Sequence, residues 1–284
     1  MTKLPFFLVL PLSGLAAFAE AQNASNNSYQ FEFGATYSTS DADFITKSNN
    51  YSVDGTYYFA PVQLKDNPYA EAAFMERAGF VSLGGGYGEN ETKTACVSAA
   101  SGTGRTSCRT GQEGSSAGVT TGFYVADIFY FEGSYSYSDN ENKYNGRTFS
   151  SNNDYWSAAI GIAPMENMLL TTSFAEGNDL FGDNYNISGK YVIPFTSGQA
   201  LNLEASYAYY KDAPDIADDD DWIVGGDYYF SRAFSVGGTF NSSDNYTLRS
   251  RYFFNQALSL DVEYSEQRDF LDIDTYSVGL SARF

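Results

Sequence analysis

Apolar and polar residues alternate with a period of two at the C-terminal end of the chain. Tyr276, Val278, Leu280, Ala282 and Phe284 oppose Thr275, Ser277, Gly279, Ser281 and Arg283. That spacing predicts a β-strand with one apolar and one polar face. The alternation recurs toward the N-terminus. Leu258, Leu260, Val262 and Tyr264 oppose Ser259, Asp261, Glu263 and Ser265, and Trp222, Val224 and Tyr228 oppose Gly225 and Asp227. Similar runs cover 201–209, 234–240 and 246–254. Earlier candidates are 29–38, 50–60, 79–88, 117–125, 128–138, 154–163, 167–175 and 184–194. Together they predict an all-β chain of fourteen strands, with twelve as the alternative count.

The connections carry a second pattern. Ala126-Asp127, Pro164-Met165-Glu166, Ser231-Arg232 and Asn255-Gln256 are short, and they alternate with longer polar stretches at 39–49, 89–116, 139–153, 176–183, 211–220 and 266–273. Short turns on one side and long loops on the other are the asymmetry of a transmembrane antiparallel β-barrel, whose even strand number puts both termini on the short-turn side. Residues 61–78 break the pattern, being long on the short side. There Asn67 suits a helix cap, Pro68 the first turn and Gly79 the end. A short helix near 68–78 is predicted, lying in the periplasm or folded into the barrel mouth.

Composition fits such a barrel once alternation is recognised. Mean hydropathy is only −0.33, yet aromatics make up 17% of the chain. A lipid-facing barrel conceals its apolar face by alternating it with a polar one. No run of about 18 apolar residues exists, so no helix is predicted to span a membrane. Tyr51, Phe59, Tyr137, Trp156, Tyr185, Tyr209, Trp222, Phe230 and Phe254 fall near strand ends, where amphipathic rings prefer the membrane interfaces. Residues 1–19 read as a secretory signal peptide: Lys3, the apolar run Leu4 to Leu15, then Ala17-Phe18-Ala19 as the cleavage site. Residues 20–284 then form one outer-membrane barrel domain. In an exported chain, Cys96 and Cys108 are expected to form a disulfide.

The formal charge is −19, and the chain contains no His. So acidic a chain is a poor nucleic-acid binder, because phosphate contacts need Lys and Arg. Without His a Ser-His-Asp arrangement is impossible; no catalytic residue, cofactor or metal is predicted, and no enzymatic activity is expected. Asp212, Asp215 and Asp218 to Asp221 lack the spacing of an ordered calcium loop and read as a solvated loop tip.

The run Pro68-Tyr69-Ala70-Glu71-Ala72-Ala73-Phe74-Met75-Glu76-Arg77 resembles the Pro-x-Ala-Glu-Ala-Ala-Phe-Leu-x-Arg segment of a porin family of Gram-negative bacteria, with Met75 in place of Leu. The resemblance implies a channel for passive diffusion in the outer membrane and carries no particular solute. Tyr276 and the terminal Phe284 resemble the signal read by the barrel assembly machinery.

Alternation assigns an inward face. Its charged members are Glu32, Asp54, Glu132, Glu204, Asp227, Asp261 and Glu263 against Lys190, Arg249, Arg251 and Arg283. Fixed charges in a wide lumen select ions by sign, so these pore-lining residues predict a weak cation preference for small hydrophilic solutes. Alternatively the charges pair across the wall: Arg249 and Arg251 face Asp261 and Glu263 on the neighbouring strand, where opposite charges attract. Inward Tyr58, Tyr124, Tyr130, Tyr210 and Tyr229 suit either ring packing or a sugar-stacking track. A non-conducting barrel that displays its loops, as an adhesin or structural protein, is the other functional class. The face assignment predicts that Leu260→Arg impairs insertion whereas Ser259→Arg is tolerated. The oligomeric state is not legible.

Overall fold

The computed structural model describes residues 27–42, 45–97, 105–144, 147–176, 183–195, 198–211, 220–268 and 272–284. The expected signal peptide and most of the acidic loop lie outside them. Fourteen antiparallel strands close into a barrel in sequence order, β1 pairing with both β2 and β14. They are β1 (Ser28–Ala42), β2 (Ile45–Gln63), β3 (Phe80–Val97), β4 (Arg105–Val125), β5 (Phe129–Tyr144), β6 (Arg147–Ile162) and β7 (Met168–Ala175). The second half comprises β8 (Asp183–Pro194), β9 (Ala200–Lys211), β10 (Asp220–Ser231), β11 (Phe234–Asn241), β12 (Tyr246–Phe253), β13 (Leu258–Gln267) and β14 (Ile273–Arg283). Closure leaves no edge over the paired rows, so every ladder there is satisfied without water, as lipid demands.

The last residue completes the seam. The Phe284 N–H donates to the Phe31 carbonyl at 2.8 Å, and the Phe284 carbonyl accepts from Gln30 and Phe31. Apolar side chains such as Phe33, Val53, Leu83, Ile160, Ile187, Leu248 and Val278 stand on the outside and form the lipid-facing band. Ring contacts trace two belts around it. Tyr37–Tyr51, Trp156–Phe174–Tyr185, Trp222–Phe240 and Tyr246–Tyr264–Tyr276 mark the end away from the termini. Phe31–Tyr57–Phe59, Phe123–Phe131 and Phe230–Phe234–Tyr252–Phe254 mark the end that carries both termini, the one expected to face the periplasm.

Several stretches expected to be loops are strand. β3 runs to Val97 and β4 starts at Arg105, so most of 89–116 is a paired hairpin; 39–49 and 139–153 are likewise almost wholly strand. β4 has 21 residues, about twice the 9–11 that cross a bilayer. Beyond the membrane both faces of a sheet meet water, so alternation is not required and hydropathy carries no signal. β6 records the changeover: its burial is uniformly exposed over 147–152 and alternates from residue 153 onward. The side chains of Cys96 and Cys108 lie outside the described ones. Their backbones sit diagonally, Cys96 opposite Thr106 and Cys108 opposite Thr94.

Residues 64–79 form no external excursion. Near the end that carries the termini, a step of two residues along β1, from Tyr29 to Phe31, faces a step of five along β2, from Val62 to Tyr57. This bulge turns β2 inward. The chain then makes a 3-10 turn at Tyr69–Glu71 and one helical turn, α1 (Ala72–Met75), inside the barrel mouth. Val62, Leu64 and Ala72 pack with Tyr29 and Tyr58 in an apolar cluster. Burying the Val62 and Leu64 side chains contributes about 1.5–3 kcal/mol each.

Candidate functional site

The lumen has two unlike walls. On β3 to β8 the inward rungs are largely hydroxyl pairs: Ser134 with Ser157 at 2.7 Å and Thr171 with Ser188 at 2.6 Å. On β8 to β14 and across the seam to β2 they are charged. Glu32, Asp54, Lys190, Glu204, Asp227, Arg249, Arg251, Asp261 and Glu263 all line one cavity of ≈630 Å³, floored by Ala70 and Glu71.

Every cation of that wall is engaged. Arg249 clasps Asp227 with both fork nitrogens, Nε at 2.7 Å and Nη2 at 2.6 Å, and reaches Glu204 at 3.4 Å. Asn202 donates to both carboxylates. Arg251 bonds Asp261 on the adjacent strand. Lys190 lies 2.8 Å from Glu71 and 3.7 Å from Glu204. Arg283, only 5% exposed, donates to Glu32 at 2.9 Å and to the Tyr69 carbonyl at 2.7 Å. Its guanidinium lies over the Tyr29 and Phe253 rings, a stacking that suits its planar, weakly hydrated charge.

The neighbour-pairing expectation is therefore half correct. Arg251 takes Asp261, but Arg249 ignores Glu263, its register partner, and crosses β11 to Asp227. Gly237 stands between Asp227 and Arg249 in the register. A Cβ there would collide with the Gly226 carbonyl and with Asp227 Oδ1, so the missing side chain leaves room for the crossing. Asp54 and Glu263 are left without an ion-pair partner among the described residues.

The inserted segment closes across the periplasmic mouth and touches opposite sides of it. Glu71, 4% exposed, accepts from the Tyr229 hydroxyl at 2.6 Å and pairs with Lys190. Tyr69 stacks edge-on against Phe253 of β12, and its N–H donates to the Arg232 carbonyl. Ala70, Phe74 and Met75 pack on Val192, Ala200 and Tyr229. Across the lumen, Arg77 donates to the Asp127 and Met165 carbonyls in the β4–β5 and β6–β7 turns. Arg232 holds the Leu64, Lys65 and Asn67 carbonyls from the β10–β11 turn.

The comparisons agree with this architecture. A family model described as "putative general bacterial porin" matches residues 1–284. The chain belongs to that porin family. Its barrel is similar to that of the outer membrane protein Omp33 of Acinetobacter baumannii, with a TM-score of 0.63 and 18% identity over 92% of this chain and 100% of that one. It also resembles the toluene transporter TbuX of Ralstonia pickettii, at 0.61 and 8% identity over 90% of each chain. A third likeness is to the toluene transporter TodX of Pseudomonas putida, at 0.55 and 12% identity over 96% and 93%. At such identities these show the fold alone. No curated protein matches the sequence. Family and fold together make this an outer-membrane β-barrel.

Within this porin, nine of the eleven charged residues singled out by alternation surround that cavity of ≈630 Å³. Arg283 sits below it, packed against the inserted segment. Glu132 stands apart on β5, accepting from the Tyr130 hydroxyl. Of the inward tyrosines, Tyr58 meets Tyr29, Tyr124 meets Tyr130, and Tyr229 holds Glu71. Alternation missed Glu71, Arg77 and Arg232, because none lies on a strand. The one signal for Glu71 was the over-long connection on the short-turn side.

Proposed function

We propose that this porin is a diffusion channel for small hydrophilic solutes with a weak cation preference. The observation that carries the reading is the charge balance of the cavity. All its cations are neutralised by specific carboxylates, while among the described residues Asp54 and Glu263 face the lumen without an ion-pair partner. Paired charges contribute little field at a distance, whereas unpaired carboxylates in a narrow aqueous space raise the local cation concentration. Charged and hydroxyl walls suit ions and polar solutes and give an aromatic hydrocarbon nothing to bury against.

The test is the reversal potential of the refolded protein in a planar bilayer under a salt gradient. Wild type should favour the cation, and Asp54→Asn with Glu263→Gln should remove most of that preference. Unselective wild-type current would defeat the cation preference and leave the channel.

One observation favours a second reading, a non-conducting barrel that displays its loops. The periplasmic mouth is occupied, and β3 to β6 rise far above the membrane band. Inserted protein that never conducts would decide for it. Residence in a Gram-negative outer membrane, delivery by the barrel assembly machinery through Tyr276 and Phe284, removal of residues 1–19 and a Cys96–Cys108 bridge belong to the same proposal. A bridge needs Cα atoms within about 7 Å, so the diagonal register requires the hairpin tip to shift.

A further inference from the structure

The channel reading makes the occupied mouth a question of regulation, and the inference that follows rests on that reading. Residues 64–79 are not a loose loop lying in a pore. They are packed as a protein core against β8, β10, β12 and β14 and are tied to turns on the opposite rim. Solute that reaches the cavity stands on Ala70 and Glu71.

We propose that this segment is a gate and that Glu71 is its latch. A carboxylate only 4% exposed is costly to bury unless it is paired and hydrogen-bonded. Here Lys190 and Tyr229 supply both from two different strands. The apolar side chains around α1 hold the segment by area alone and would tolerate a small slide. The ion pair and the hydroxyl bond are directional and are lost once the segment moves. The latch therefore discriminates between the closed and displaced positions, which is what a two-state element requires.

The latch is also wired to the cavity. Lys190 divides its charge between Glu71 on the gate and Glu204 on the wall, and Glu204 shares Arg249 with Asp227. Any change that draws Lys190 toward Glu204 weakens its hold on Glu71. Closure is thus set by the same charges that face the solute.

The experiment compares single-channel records of wild type, Glu71→Gln, Lys190→Met and Tyr229→Phe, each refolded and checked for barrel formation by heat-modifiable gel mobility. Glu71→Gln and Lys190→Met should raise the open-to-closed ratio about tenfold, the loss of a charge-assisted contact. Tyr229→Phe should raise it a few-fold. It keeps the ring and its packing, so it carries the test even where the charge variants fold poorly. The exchanged pair Glu71→Lys with Lys190→Glu should return the ratio toward wild type, a rescue that general loosening would not produce. Equal open fractions in all variants overturn the latch and leave the channel standing. Folded, inserted barrels that never conduct, wild type and variants alike, overturn the channel and the gate with it.

Discussion

The two ends of this barrel are built from one continuous set of ladders yet hold together for different reasons. At the periplasmic end the lumen is filled. Val62, Leu64, Pro68 and Ala72 are among the most buried residues of the described chain, and the charges beside them are paired, Glu71 with Lys190 and Arg283 with Glu32. At the far end β3 to β6 continue upward as a sheet wet on both faces, and residues 147–152 of β6 are exposed without exception. Backbone pairing therefore suffices to build strand where water wets both faces. Alternation appears only where the two faces meet different solvents. Where a third body enters the lumen, even a polar inward residue becomes core.

The largest effect that tests this comparison is expected in the band between the two ends. Val262→Arg places a charge on the lipid face between the two ring belts and should cost about 2–4 kcal/mol there, read as loss of the heat-modifiable folded form. A variant that folds like wild type would break the inside–outside assignment. Next comes Ser259→Arg. The face assignment alone predicts tolerance, but Ser259 is 2% exposed and pairs with Phe253, on which Tyr69 of the gate packs. Overpacking there should cost roughly 1–3 kcal/mol in urea unfolding, while Ser277→Arg in the open cavity should change little. Equal midpoints for the two arginines would mean that the mouth is not filled.

Smaller effects sharpen the contrast at the rims. The β4–β5 turn holds Ala126 at φ 52° and Asp127 at φ 57°, the left-handed region that a type I′ hairpin turn needs and that favours glycine. Ala126→Gly should therefore stabilise the periplasmic rim by up to about 1 kcal/mol, visible as a higher urea midpoint; a lower midpoint would contradict the turn geometry. On the tall sheet, Lys143 and Glu113 form a solvent-exposed pair at 2.7 Å. Lys143→Ala should leave the unfolding midpoint unmoved, since water screens such pairs. A measurable loss would show that the upper sheet is held by its charges and not by its backbone.

The same contrast explains what could be read from residue order. All fourteen strands were legible within the membrane band, because lipid outside and water inside impose alternation there. Their upper ends were not, because water on both sides imposes nothing; Glu89, Asn140 and Asn152 look like loop residues and lie in strand. The inward charges were legible as a set, since each sits on the polar face of an alternating run. Their partners were not. Arg249 was expected to meet its neighbours Asp261 and Glu263 on β13, and it crosses instead over the gap at Gly237 to Asp227. Ser259 was legible as inward but not as buried, because its burial belongs to a segment nearly two hundred residues earlier in the chain.

Sequence by itself determined the all-β barrel and the acidic cast of its interior, and it favoured fourteen strands over twelve. These follow from local period and from the parity of short and long connections, and neither depends on distant contacts. Tertiary structure alone decided that residues 64–79 fold inward, that Glu71 becomes a buried carboxylate held by Lys190 and Tyr229, and which acids stay unpaired. Those outcomes depend on which side chains meet across a closed lumen. Closure brings together β2, β8, β10 and β14, strands that no local pattern relates.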